Sequence, residues 1–100
     1  MKYAVIQRPS GAALQMLRRK APDGAVRACL DGGGAESVGL CQGTVLEILV
    51  AADVAEKAAG VTAGELTGSC PQHMTCLVLL GDTGAVRAAM EAVRTAMQSI

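Results

Sequence analysis

The sequence predicts an α/β sandwich of the α+β type, in which helices cover a four-stranded, mostly antiparallel sheet. Short apolar runs typical of strands alternate with alanine-rich runs whose apolar residues recur at helical spacing. Two of the strand-like runs, 61–67 and 75–80, are separated by a short turn-forming segment, which predicts a β-hairpin. The chain has 100 residues, a length that fits one domain.

The first third of the chain predicts a strand over 3–6 and a helix that begins after Ser10 and runs to about Lys20. Ser10 is a good N-cap residue, and the cations at 18–20 suit the carboxyl end of a helix dipole. Residues 21–36 are expected to form a flexible connector, with one or two helical turns over 24–30. Its three consecutive glycines lack the spacing of a phosphate-binding loop.

The rest of the chain predicts a strand over 37–42 and then a helix to about Ala59. Thr44 and Glu47 form a capping-box pattern at the start of that helix. Residues 75–80 are almost continuously apolar, which predicts a central strand. Asp82 or Thr83 is expected to cap the last helix. The apolar residues of that helix recur at helical spacing: Val86, Met90, Val93 and Met97.

The apolar content is high for so small a domain. Hydrophobic residues make up 51% of the sequence, and Tyr3 is the only aromatic residue. A small domain buries a limited share of its surface, so an excess of apolar surface is expected to be covered by oligomerisation.

The charge and the cysteines restrict the possible partners and the compartment. Nine basic and nine acidic residues cancel, which argues against nucleic acid as a partner. No apolar run approaches the roughly 18 residues of a membrane span, so no membrane partner is expected. The first residues lack the apolar core of a signal peptide, so we expect a cytoplasmic protein. Its four cysteines are then expected to be thiols or metal ligands rather than disulfides.

The segment 39–97 resembles the bacterial microcompartment shell domain, the BMC domain. Two helical stretches carry the resemblance, AADVAEKAAGV (51–61) and GDTGAVRAAMEAV (81–93), together with the hairpin between them. The strand and short helix that close this domain in the family resemble KYAVIQRPSGAALQMLRRK (2–20) instead. The resemblance therefore implies a circular permutant, with 1–100 as a single permuted BMC shell domain.

This resemblance also implies an assembly and a role. Proteins of this family are structural, not enzymes, and form cyclic hexamers that tile a shell. The implied partners are further copies of the chain in a homohexamer, other shell proteins and encapsulated enzymes. Lys57 and Arg8 resemble residues at the hexamer edge, although a solvated surface charge is the ordinary role of a Lys or Arg.

The resemblance places the hairpin tip at the central pore of the hexamer. The implied pore loop is Gly68, Ser69, Cys70, Pro71, Gln72 and His73. Cys70 would then be repeated around one axis, as in similar permuted shell proteins of glycyl-radical-enzyme microcompartments that carry iron–sulfur clusters. This implies a cluster, [4Fe-4S], shared between subunits, for electron transfer or redox sensing. Four cysteine ligands cannot obey sixfold symmetry, so a subset of the thiolates would bind it.

Other interpretations of the tip stay open. Cys70, His73 and Cys76 could bind zinc, although three ligands are one short of a structural zinc site. Cys70 could also be an ordinary exposed thiol. The whole chain could instead be a ferredoxin-like regulatory domain that binds a small molecule. An enzyme is not indicated, because His73 is the only histidine and no acidic residue is placed to orient a Cys70–His73 pair.

Overall fold

The computed structural model describes residues 1–68 and 74–100. In these ranges the chain forms four strands and four helices. In chain order they are β1 (Lys2–Gln7), α1 (Gly11–Lys20), α2 (Gly24–Asp31), β2 (Ser37–Thr44), α3 (Val45–Ala58), β3 (Thr62–Leu66), β4 (Met74–Gly81) and α4 (Thr83–Met97).

The four strands form one sheet in the order β1-β2-β4-β3. Each neighbouring pair is antiparallel. The almost continuously apolar β4 is a central strand, as its sequence predicts, and the edges are β1 and β3. The α+β fold with a four-stranded antiparallel sheet is thus confirmed.

Helices cover both faces of this sheet. Leu77 and Leu79 of β4 pack in a cluster with buried residues of α3 and α4. Val78 and Leu80 point to the opposite face and pack in a second cluster with residues of α1 and α2. Because successive side chains of a strand point to opposite faces, one apolar strand contributes to both clusters. We call these two sides the α3/α4 layer and the α1/α2 layer.

The predicted caps are present at three helices. The Ser10 side chain accepts a hydrogen bond from the Ala13 N–H at 3.2 Å, and Asp82 accepts one from the Ala85 N–H at 2.8 Å. At α3, Glu47 N–H donates to Thr44 Oγ1 at 3.3 Å and Thr44 N–H donates to Glu47 Oε1 at 2.9 Å, which completes the capping box. These bonds lower the pKa of Glu47.

The segment 21–36 contains the eight-residue helix α2, which occupies the predicted helical turns over 24–30 and is packed on the sheet as an ordered part of the domain. Asp23 caps this helix, and Val26 on its inner side is fully buried. Arg18 of α1 contacts Asp31 through an ion pair at 2.7 Å. Apolar burial of Val26 and Leu30 therefore stabilises a helix within a segment that its glycines predict to be a flexible connector. No helix in the described ranges is both long and apolar enough to cross a bilayer.

The contact between α2 and β3 requires a glycine at position 64. A Cβ at this position would lie 2.5 Å from Val26 Cγ2. At Gly60 an added Cβ would meet no atom within 4 Å.

Gly64→Ala is therefore expected to destabilise the fold by about 1–3 kcal/mol, the range typical of overpacking in a core. Gly60→Ala is the matched control and should change stability little. Thermal unfolding followed by circular dichroism compares the two variants. An unchanged melting temperature for Gly64→Ala would contradict the packing of α2 described above.

Candidate pore and shell-edge site

The hairpin of β3 and β4 ends at the predicted pore loop. Its register pairs Thr62 with Leu80 at one end and Leu66 with Cys76 next to the tip. Gly68 is exposed and lies within the described residues. The other predicted pore residues lie outside them: Ser69, Cys70, Pro71, Gln72 and His73. The structure therefore fixes the base of the tip.

Hydrogen bonds to α1 hold this base in place. The Thr67 N–H donates to the Lys20 carbonyl oxygen at 2.7 Å. Thr67 Oγ1 donates to the same oxygen at 3.1 Å. One of the carbonyls that a helix leaves unpaired at its carboxyl end is thus satisfied by the hairpin. Nothing in the local sequence indicated this contact, since 47 positions separate the two residues.

A groove of about 390 Å³ lies beside the base of the tip. Met16, Arg19, Lys20, Thr67 and Gly68 line it. Among the described residues, the ion pairs formed are Arg18–Asp31 and Lys57–Asp53. Arg19 and Lys20 form no ion pair with another described residue, so they give this groove a net positive charge.

The other three cysteines lie within the domain. Cys41 of β2 is fully buried in the α3/α4 layer, and its Sγ lies 3.7 Å from Met90 Sδ. Burial raises its pKa to about 11. Cys29 and Cys76 are half-buried and pack against the α1/α2 cluster. No group of three or more His, Cys, Asp or Glu side chains suited to a metal ion occurs within 1–68 and 74–100.

Cys76 is the one member of the predicted zinc set that the structure describes. It pairs with Gln42 and Leu66 in the sheet and packs against the α1/α2 cluster. Burial raises the pKa of its thiol, which disfavours the thiolate that a metal requires. These observations favour a packing role for Cys76. Cys70 and His73 lie outside the described ranges.

Arg8 and Lys57 lie at the end of the sheet that is remote from the tip. Arg8 follows the last residue of β1, which pairs with Ser37, whereas the tip end of β2 pairs Thr44 with Met74. Lys57 is in the last turn of α3, shortly before β3 begins at this same remote end. Its ammonium contacts Asp53 at 2.9 Å, and 76% of its side chain is exposed.

Arg8 also has an unusual backbone conformation. Its φ of 53° is in the left-handed region, where a residue with a Cβ is strained. The Arg8 N–H donates to the Glu36 carbonyl oxygen at 2.9 Å. This bond holds the bend that leads from β1 to α1.

The comparisons with known proteins establish the class. The BMC domain family matches residues 37–100, more than half of the chain, and the chain belongs to this family of microcompartment shell proteins. It is therefore a structural protein of a microcompartment shell and not an enzyme, and the alternative of a ferredoxin-like regulatory domain is wrong. None of the curated proteins matches the sequence.

Several solved structures of microcompartment shell proteins are similar to this chain. The chain is 34% identical to the GrpU microcompartment shell protein of Clostridiales bacterium 1_7_47FAA, with a TM-score of 0.73 over 98% of this chain and 93% of that one. It is 29% identical to GrpU of Pectobacterium wasabiae, with a TM-score of 0.71 over 93% and 99%. A fused permuted hexameric shell protein of the RMM microcompartment shares the fold, at 23% identity and a TM-score of 0.72 over 97% and 45%.

The arrangement of the elements agrees with a permuted domain. The family match begins at Ser37, the first residue of β2. The preceding strand β1 completes the sheet by pairing with β2. The elements before residue 37 thus belong to the same sheet and the same apolar clusters as the matched region.

The burial of Cys41 predicts a slow reaction with alkylating agents. A thiol with a pKa near 11 is almost entirely protonated at pH 8, and the thiolate is the reactive form. Treatment of the native protein with iodoacetamide at pH 8 should leave Cys41 unmodified, as measured by peptide mass spectrometry. The same treatment in guanidinium should modify it fully. Rapid modification in the native state would contradict its position beneath α4.

Proposed function

We propose that this shell protein assembles as a cyclic homohexamer around an axis at the β3–β4 tip, and that Cys70 thiolates of several subunits ligate an iron–sulfur cluster there. A cluster in this position would supply one-electron redox chemistry for electron transfer across the shell or redox sensing. The observation that carries the proposal is the location of the hairpin tip, which follows an edge strand at one end of the sheet and bears a cysteine in its sequence.

The donor chemistry supports this assignment. Iron–sulfur clusters are held by cysteine thiolates. Cys41 is buried beneath α4, whereas Cys29 and Cys76 pack in the α1/α2 layer. The three cysteines are thus part of the domain interior or its margin, and Cys70 is the one whose sequence position is on the tip. One thiolate for each chain requires an assembly to make a complete ligand set.

The charge at the base of the tip supports the same chemistry. Arg19 and Lys20 line the groove beside Gly68. Nearby cations favour the thiolate over the thiol and favour a cluster of net negative charge. Repeated around an axis, these side chains would surround the pore with positive charge, so they support anionic ligands rather than free metal cations at this position.

The remote end of the sheet is proposed to face neighbouring hexamers. With the tip at the axis, Arg8 and Lys57 lie at the outer rim, where other shell proteins would be met. Both carry a positive charge, and Lys57 is largely exposed. Encapsulated enzymes are proposed as further partners of the assembled shell.

The cluster is tested by purifying the full chain without oxygen and measuring iron, acid-labile sulfide and visible absorbance. Cys70→Ser should lose all three signals while keeping the mass of the assembly, because the serine hydroxyl is a poor ligand for the cluster. Cys29→Ser is the matched control and should retain them. Iron and sulfide that persist in Cys70→Ser at the wild-type level would exclude Cys70 as a ligand, and wild-type protein that stays colourless after reconstitution would exclude the cluster.

The rim is tested by electron microscopy of assembled sheets. Lys57→Ala and Arg8→Gly should reduce sheet formation at least several-fold, with the hexamer mass in light scattering unchanged. Glycine is chosen at position 8 because it adopts the positive φ without strain. Arg19→Ala removes a cation at the opposite end and should leave the sheets intact. Equal sheet formation in all three variants would contradict the proposed orientation.

A further inference from the structure

We infer that the ring closes because the β3 side of one copy packs against the β1 side of the next, with Glu65 of one copy facing Arg94 of its neighbour. This inference rests on the proposed axis at the tip. With the tip at the axis and the flat body lying in the plane of the ring, the two edge strands, β1 and β3, form the two sides of each subunit. A cyclic arrangement then brings opposite sides of neighbouring copies together.

The β3 side has an apolar groove with acidic residues. Its volume is about 220 Å³. The groove lies in the α3/α4 layer, between one stripe of α3 and the edge strand. We call it the acidic flank, and the residues that define it are Val45, Leu49, Ala52, Glu56, Ala63 and Glu65. The four on α3 recur at helical spacing and so share one side of the helix.

The apolar part of the acidic flank is unusually exposed. Leu49 is 68% exposed and Val45 is 50% exposed. Leu46, on the next position of the same turn, is 62% exposed. A contiguous apolar patch rimmed by polar residues is typical of a protein interface. The edge strand β3 adds unpaired backbone groups, which proteins protect by covering the edge.

The β1 side presents a complementary surface in the same layer. Val5 is 41% exposed. The Arg94 guanidinium of α4 lies over the Tyr3 ring, 4.5 Å from its centroid. We call Tyr3, Val5 and Arg94 the basic flank. The aromatic ring holds the cation in place without neutralising it, because a cation–π contact leaves the positive charge available to a carboxylate.

The two flanks match in charge and in position. Glu56 and Glu65 form no ion pair with the described residues, and neither does Arg94. Glu65 pairs with Leu77 and Tyr3 pairs with Cys41, and Cys41 in turn pairs with Leu77. Glu65 and the Tyr3–Arg94 pair thus lie on one line across the sheet, at the same distance from the tip. A rotation about the axis keeps that distance and that layer, so it brings the two groups opposite one another.

The occupant of the acidic flank is therefore a second copy of this chain. Its Tyr3 and Val5 would pack along the apolar part of the acidic flank, and its Arg94 would meet Glu65. Opposite charges across an interface fix the register and exclude a reversed contact of like sides, since two acidic or two basic flanks repel.

The test uses charge reversal on each side separately and then together. One variant carries Glu56→Arg with Glu65→Arg, and the other carries Arg94→Glu. Each variant has two flanks of the same sign and should raise the protein concentration needed for assembly at least tenfold, as measured by native mass spectrometry. Mixed in equal amounts, the two variants should form a ring again, with strict alternation and equal numbers of each, because each flank then meets one of opposite charge.

The controls separate this inference from the proposed function. Lys57→Glu changes the same kind of charge at the remote end and should leave the ring mass unchanged. All variants carry Cys70→Ser, so that the presence of a cluster does not affect the ring mass. If the Cys70→Ser protein without further substitutions forms no ring, the proposed hexamer itself is overturned. A ring that persists in both variants, or folded variants that fail to assemble when mixed, would overturn only the flank contact.

A milder pair of variants covers the case in which a reversal variant unfolds. Glu65→Gln keeps the size of the side chain and Arg94→Gln shortens it without adding a charge, and circular dichroism checks the fold of both variants. If the two side chains contact each other across the interface, the double variant should weaken assembly less than the product of the two single effects. Independent effects that multiply would overturn the contact.

Discussion

The burial of β4 on both faces is the constraint on which the rest of the structure depends. Leu77, Val78, Leu79 and Leu80 are each at most 2% exposed, and they alternate between the two helical layers. Apolar burial is the main favourable term in folding. A central strand that is apolar on both sides needs a cover on both sides, so α1 and α2 are as necessary to this small domain as α3 and α4.

Because helices cover both faces of the sheet, only its two edges and the two ends of its strands are left uncovered. The helices occupy the two broad surfaces, whereas β1 and β3 keep one side without a strand partner. The tip and the remote end lie along the strand direction. The assembly surfaces that we propose for this shell protein are therefore the narrow sides of a flat body. The proposed rim residues, Arg8 and Lys57, lie at the end of the sheet that is remote from the base of the tip.

The elements that the sequence predicts well are those specified by local chemistry. Thr44 with Glu47, Ser10 and Asp82 each satisfy nearby backbone groups, so short patterns are sufficient to place three helices. The sequence predicts the helical turns of α2 but not their packing, which depends on the contact of Val26 with Gly64, two residues in distant parts of the chain. The clamp between Thr67 and Lys20 escaped prediction for the same reason. The sequence predicts a role for Cys70 only through the resemblance of its segment to pore loops. The acidic and basic flanks cannot be predicted in this way, because no local sequence pattern shows which side chains will be exposed at the edge of a folded sheet.

The position of α2 has a consequence for the order of folding. This helix and α1 pack on Val38, Leu66, Val78 and Leu80, all of which come later in the chain. The sheet surface that covers the apolar sides of α1 and α2 is therefore complete only when β2, β3 and β4 are present. Contacts between distant residues slow folding, since the loop between them must close first. In this permuted order, the first third of a growing polypeptide cannot complete its packing until the region that matches the BMC family has been synthesised and has formed its strands.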